Sequence, residues 1–305
     1  VNSIPFKIQG YSEVHKPPIH RAVSFLYSNP IMTLKVCNSL SEIASSYEYF
    51  LIDLWGVVHD GYTPFPGVIE SLEALRHHKK KILFITNSPR PGNVLTSMLD
   101  SMEIHKELYD FIYSSGDAVI DGLNTGDNPL KEKPYYFLGD DPLHASLIDE
   151  LPAERTFDLE KAHYVLLSSL TPTTSFVLEE ALKMDIPLLC ANPDMVVIHK
   201  KIPLPCPGSA AKQYEDLGGT VFYYGKPYPP IYEASLKRLG NPPMDKVLAI
   251  GDGLGTDIQG ANTMGIDSVL IQGGIHHSLS LDALEKKCQK ETRHPTYVMS
   301  QFIWS

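Results

Sequence analysis

Strand-length apolar runs recur along this chain, each closed by polar residues and separated by stretches with helical spacing. Leu51-Ile52-Asp53-Leu54 reads as a buried strand, and Asp60 to Gly67 is a loop of turn formers. Val68, Ile69, Leu72 and Leu75 then fall on one helix face, and Lys81–Thr86 is the next strand. Strand, loop, helix, strand in that order predicts a parallel sheet with helices on its faces. The end of the chain repeats the style. Val221 to Tyr224 is a strand running into Gly225-Lys226, and Pro229 and Pro230 sit where the following helix begins. Val247 to Ile250 is a strand running into Gly251-Asp252, and Ser268 to Ile271 is another. The middle alternates again, with strands at Tyr135 to Leu138, Tyr164 to Leu167 and Pro187 to Cys190.

A length of 305 residues suits two domains better than one, at roughly 150 residues each. The expected fold is α/β: a Rossmann-like, doubly wound parallel-sheet core domain from 32–91 and 223–305, with an α/β cap domain of 92–222 inserted into it. Residues 1–31 hold Pro5, Pro17, Pro18 and Pro30 without a sustained period. They are expected to form a poorly ordered extension.

Hydrophobic residues make up 43% of the chain and charged residues 20%, so a sizeable core is expected. The formal charge of -10 argues against a nucleic-acid or anionic-membrane surface, which needs a basic stripe. No apolar run reaches the roughly 18 residues of a membrane span. Cys37, Cys190, Cys206 and Cys288 are scattered, with no Cys-x-x-Cys pair. Reduced thiols in a cytoplasmic protein are expected. The sequence leaves room for a homo-oligomer.

Four polar constellations stand at predicted strand ends, where open parallel sheets bind ligands. Asp53, directly after a strand, can attack phosphorus as a carboxylate nucleophile, and Gly56 lets backbone approach a phosphate closely. Thr86, Asn87 and Ser88 offer a hydroxyl, an amide and backbone N–H groups to phosphoryl oxygens. Lys226, within Gly225-Lys226-Pro227, can neutralise charge on a transferring group. Asp252 and Asp257 flank a glycine-rich loop and are hard oxygen donors of the kind Mg²⁺ takes. Taken singly, the first three have a commoner explanation as a capping aspartate, an Asx turn and a solvated lysine.

Taken together and in this order, they resemble the four motifs of the haloacid-dehalogenase (HAD) superfamily. The long insertion before Gly-Lys-Pro and Gly-Asp-x-x-x-Thr-Asp is similar to its class IIA branch of nitrophenyl-phosphatase-like, pyridoxal-phosphatase-like and sugar-phosphatase-like enzymes. The resemblance spans about 47–275, including the segments Ala191-Asn192-Pro193-Asp194 and Pro207-Gly208-Ser209-Ala210. It implies that Asp53 is the nucleophile and a Mg²⁺ ligand, together with the backbone carbonyl of Trp55. It implies that Thr86 and Asn87 bind the phosphoryl group and that Lys226 steadies the aspartyl nucleophile and the phosphate. Asp252 would be a direct metal ligand, and Asp257 either a ligand through water or the residue that orients Lys226. Asn192 and Asp194 would face the pocket from a cap loop. The implied substrate is a small phosphorylated metabolite.

The chain departs from the pattern at Trp55, where related phosphatases carry a second aspartate that protonates the leaving group. Losing such an acid costs roughly 10²–10⁴-fold in rate. His59 and Asp60 are the nearby candidates to replace it. Three readings follow: a Mg²⁺-dependent phosphatase working through a phospho-aspartyl intermediate, a catalytically impaired phosphate-binding or regulatory protein, and a sister chemistry such as C–P or C–halogen cleavage.

Overall fold

The computed structural model describes residues 34–125, 128–199 and 202–305. The expectation for 1–31 lies outside them. The chain builds β1 (Tyr49–Ile52), α1 (Val68–His77), β2 (Lys81–Thr86), α2 (Gly92–Asp100), β3 (Phe111–Ser114) and α3 (Ser115–Asn124). It continues through β4 (Tyr135–Leu138), α4 (Asp141–Asp149), β5 (Arg155–Thr156), β6 (Tyr164–Leu167), α5 (Thr174–Lys183) and β7 (Leu188–Cys190). A hairpin of β8 (Val196–His199) and β9 (Ile202–Pro205), then α6 (Pro207–Asp216) and β10 (Val221–Tyr223), follow. The last elements are α7 (Pro229–Arg238), β11 (Val247–Gly251), α8 (Gln259–Met264), β12 (Asp267–Ile271), α9 (Leu281–Glu291) and β13 (Tyr297–Met299).

The first sheet runs β13-β12-β11-β1-β2-β3 and is parallel throughout. The chain leaves β1 toward β2 and β3, then later extends the opposite edge through β11, β12 and β13. The strand order therefore reverses between β1 and β11, which is where a doubly wound sheet opens a crevice. Ile52 is in register with Ile250, and the Asp53 N–H donates to the Ile250 carbonyl at 2.8 Å. Asp53 and Asp252 thus leave adjacent strands on the same side.

Both faces of this sheet are covered, which explains why its strands read as near-continuous apolar runs. Phe50, Ile52, Phe84 and Ile250 pack one face against Leu72 and Leu75 of α1 and Leu95 and Leu99 of α2. Leu51, Leu83 and Val247 pack the other against Val119 and Leu123 of α3 and Ile231 and Leu236 of α7. That second cluster continues through Tyr135, Tyr164 and Leu189 into the other large sheet, β10-β7-β6-β4-β5, which is also parallel.

The expected partition at 92–222 needs correction at both ends. β3 pairs with β2 in register from Leu83–Phe111 to Thr86–Ser114, so α2 and β3 belong with the first sheet. The second sheet takes β4 to β7 and β10, with the β8–β9 hairpin apart from it. At its far edge β10 pairs with β7, so Tyr223 belongs to that sheet and not to the first. Sheet membership depends on which strand a run finds as neighbour, and periodicity does not record that.

Candidate active site

The loops that follow β1, β2 and β11 converge with the return segment after β10. Lys226 is the centre. It is buried, and its Nζ donates to Asp53 Oδ1 at 2.6 Å and to Asp257 Oδ1 at 2.7 Å. Burial opposes its charge, but the Asp257 and Asp53 carboxylates outweigh burial and raise its pKa, so it stays protonated. A lone lysine in a loop is usually solvated. This one is held by ion pairs across 173 and 31 positions of sequence.

Asp53, Asp252 and Asp257 each bring a carboxylate oxygen within 4.8 Å of the others, and all three are buried. Burial raises the Asp53 pKa well above the ordinary carboxylate range; Asp257 and Asp252 add to the rise and Lys226 opposes it. Asp252 is pushed up to about 7 by burial, then by Asp257. Fully ionised, three carboxylates facing one ammonium would carry an excess negative charge that one divalent cation balances. The donors are all hard oxygens, so the residues present fit Mg²⁺.

Each acid is aimed by its surroundings. Asp252 Oδ2 accepts the Ile275 N–H at 2.8 Å. Gly56, with φ +87, lies so close to it that an added Cβ would meet Oδ2 at 2.2 Å. Asp257 sits in a π-helical turn, Leu254–Ile258, that precedes α8. Its second oxygen accepts the Gly253 N–H at 3.0 Å, so it is turned toward Lys226 from both ends. Of the two roles the resemblance left open for Asp257, its contact with Lys226 suits the orienting one and its place beside Asp53 and Asp252 suits the ligand one.

A cavity of about 280 Å³ opens over these groups, lined among others by Asp53, Thr86, Asp194, Asp252 and Asp257. Thr86 Oγ1 accepts the Ser88 N–H at 3.2 Å, which leaves its hydroxyl proton free to donate into the cavity. The remaining expected phosphate ligands are arranged differently. Asn87 Oδ1 accepts the Lys226 N–H at 2.6 Å, and its Nδ2 donates to Asp194 Oδ1 at 2.8 Å and to the Lys226 carbonyl at 3.1 Å. With both ends of its amide engaged, Asn87 clamps the lysine segment. Ser88 Oγ accepts the Arg90 N–H at 3.2 Å, and neither residue lines the cavity. Asn192 Oδ1 accepts the Asp194 N–H at 3.1 Å and shapes the loop instead of facing the pocket. Asp194 does line the cavity, and burial raises its pKa.

Neither candidate for the missing acid is fitted for it. His59 is buried and its pKa falls to about 4 because burial disfavours its charge, so it carries no spare proton at neutral pH. Its Nδ1 accepts the Gly61 N–H at 2.9 Å. Asp60 Oδ1 accepts the Tyr62 and Thr63 N–H groups, both at 2.9 Å, and hydrogen bonds from the Thr63 backbone lower its pKa. The sequence reading also missed the hairpin residues Ile198 and His199, which meet the Trp55 indole. No short-range signal could have indicated that contact.

Comparison with known proteins was decisive for the family. Residues 50–150 match the haloacid dehalogenase-like hydrolase family, and residues 223–304 match a HAD-hydrolase-like family. The two matches carry Asp53 and Thr86, and Lys226 and both loop acids, respectively. This chain is a haloacid dehalogenase-like hydrolase. A crystal structure of a hydrolase of the haloacid dehalogenase-like family from Brucella suis is 27% identical, covers 88% of this chain and all of its own, and superposes with a TM-score of 0.76. A D-glycerol 3-phosphate phosphatase from Mycobacterium tuberculosis is 27% identical over 268 residues, 85% of this chain and 71% of its own. A glycerol phosphate phosphatase structure from the same organism, in complex with magnesium, has a TM-score of 0.66 at 24% identity, covering 84% of this chain and 75% of its own. Among the described residues, no helix is long and apolar enough to cross a membrane.

Proposed function

We propose that this HAD hydrolase is a Mg²⁺-dependent phosphoric monoester hydrolase that acts on a small phosphorylated metabolite through a phospho-aspartyl intermediate. The observation that carries the reading is the buried Lys226 bridge to Asp53 and Asp257, beside Asp252, at the reversal point of the sheet. A binding site for phosphate has no need of a carboxylate aimed at phosphorus, and an uncompensated one would repel it. The named activity of the Mycobacterium tuberculosis relative is the same class of reaction.

In this mechanism an Asp53 oxygen forms a bond to phosphorus as the ester P–O bond breaks, and the leaving oxygen departs with the bonding electrons. Lys226 holds Asp53 in place and neutralises the phosphoryl charge, while Thr86 donates to a phosphoryl oxygen. Water then attacks the aspartyl phosphate, releasing inorganic phosphate and restoring the carboxylate. Asp53, Asp252 and the Trp55 carbonyl would hold Mg²⁺, which would supply Lewis-acid charge to the phosphoryl oxygens. A cytoplasmic setting agrees with four free, buried cysteines.

The test is a panel of phosphomonoesters assayed with and without Mg²⁺, beside Asp53→Asn and Asp252→Ala. Turnover is expected only with metal, none in Asp53→Asn, and no calorimetric Mg²⁺ binding in Asp252→Ala. Tight Mg²⁺-dependent phosphate binding with no turnover on any ester would favour the binding-protein reading. Unchanged Mg²⁺ affinity in Asp252→Ala would remove the metal assignment.

A further inference from the structure

The indole of Trp55 reaches where an aspartate could not. Its Nε1 donates to the carbonyl of Ile198, in β8, at 3.0 Å across 143 positions of sequence. The ring stacks on His199 of the same strand, with centroids 6.4 Å apart and planes 25° apart. Tyr62, from the loop after β1, meets that imidazole edge-on at 5.6 Å. On the core side the indole meets His59 edge-on at 5.8 Å, and a Cβ added at Gly61 would lie 2.3 Å from the indole. The ring is therefore fixed to the first sheet's loops, and its one polar atom is committed to the hairpin.

The indole also stands between two spaces. The cavity over Asp53 and a second one of about 330 Å³ are both lined by Trp55, Asp252 and Ile275. On the Asp53 side, the segment leading into the hairpin supplies Met195, Val196 and Val197 as a wall, with Tyr228 nearby. We infer that Trp55 is a specificity-determining latch: it pins the hairpin over the nucleophile and fixes an apolar wall against which the leaving group packs. The inference rests on the hydrolase reading above and deepens it by naming the substrate class. That class is phosphomonoesters with a flat, apolar, weakly basic leaving group, such as aryl phosphates.

Two independent features select the same class. Neither His59 nor Asp60 lines the cavity over Asp53, so the site favours oxides that leave unassisted, and an aryl oxide does so where an alkoxide does not. Lys212 and Gln259 also line the cavity, but along the Met195–Val197 wall a ring buries apolar surface where a hydroxyl-rich leaving group meets no polar side chain.

Hydrogen exchange and calorimetry test the latch without needing turnover. In Trp55→Phe, which keeps a ring and removes the N–H donor, and in His199→Ala, which removes the hairpin's stacking partner for Trp55, the amides of 195–199 should exchange about fivefold faster or more. In the Asp53→Asn background with Mg²⁺, phenyl phosphate should bind more tightly than glycerol phosphate, and adding Trp55→Phe should shrink the difference severalfold. In the active enzyme the same substitution should raise KM for phenyl phosphate more than it lowers kcat. Hairpin exchange that is unchanged in both variants overturns the latch, and tighter binding of glycerol phosphate overturns the substrate class. Loss of all turnover in otherwise wild-type protein, with these binding differences intact, would sink the hydrolytic reading and leave the latch standing.

Discussion

Lys226 shows how one residue can be legible in type and illegible in role. Gly225-Lys226-Pro227 marked it as a candidate, but the sequence does not record that two carboxylates meet its ammonium or that Asn87 grips its backbone on both sides. The resemblance makes Asn87 a phosphate ligand, through an amide able to donate to a phosphoryl oxygen. Here that amide is fully engaged. The ion pairs make Lys226→Met a sharp test, because the substitution leaves Asp53, Asp252 and Asp257 with no protein cation among them. Removing one partner of a buried pair costs roughly 3–5 kcal/mol, and a loss of that order is expected in the denaturation midpoint at pH 7.5. The raised pKa values of Asp53 and Asp252 set the sign of the pH effect. A carboxyl whose folded pKa lies above its unfolded value favours folding at low pH, and that contribution is lost as pH rises through the folded pKa. The Lys226→Met deficit should therefore narrow between pH 7.5 and 5, and also narrow with Mg²⁺ at pH 7.5. A deficit that is constant across both changes would mean the lysine is not balancing these acids.

At the scale of elements, the strands of the first sheet were readable because both faces are covered and the runs are apolar throughout. Their ends were readable because the polar residues begin there. What the sequence could not show is the partnership between strands. β10 reads as a strand running into Gly225-Lys226, yet it closes the second sheet, and β3, which no run in the sequence reading marks, extends the first. The loops after β1 and β11 are built to touch. Gly56 adopts φ +87 and leaves the Asp252 carboxylate the space a Cβ would take. Gly56→Ala therefore incurs backbone strain of order 1 kcal/mol or more and also pushes Asp252 from its position. A weaker Mg²⁺ isotherm and a lower midpoint are expected together. A variant that loses stability but binds Mg²⁺ as the parent does would show that Asp252 tolerates the displacement.

At the scale of the molecule, burial of His59, His144 and His276 in three separate places sets a limit on acid tolerance. Burial lowers each pKa to about 4. A histidine whose folded pKa is depressed supports the fold fully above its unfolded value, near 6.5, and loses that support as pH falls toward 4. His144 isolates the effect, since its pKa answers to burial, Arg90 and Asp140 and to none of Asp53, Asp252 and Asp257, and its Nδ1 meets Ser168 Oγ at 3.0 Å. The stability advantage of wild type over His144→Gln should shrink by about 2 kcal/mol between pH 7 and pH 5. Equal denaturation curves for the pair at both pH values would contradict a neutral buried imidazole. The two sheets share one apolar cluster, but the chain visits them in a set order: it lays down Asp53 and Thr86 first, builds the second sheet, and only then returns through Tyr224 and Gly225 to deliver Lys226. During synthesis, then, the Asp53 carboxylate emerges long before its counter-charge and its companion acids. A nascent chain carries an unpaired carboxylate, and the buried ion-pair cluster comes into being only when the last third of the polypeptide has closed back on the first.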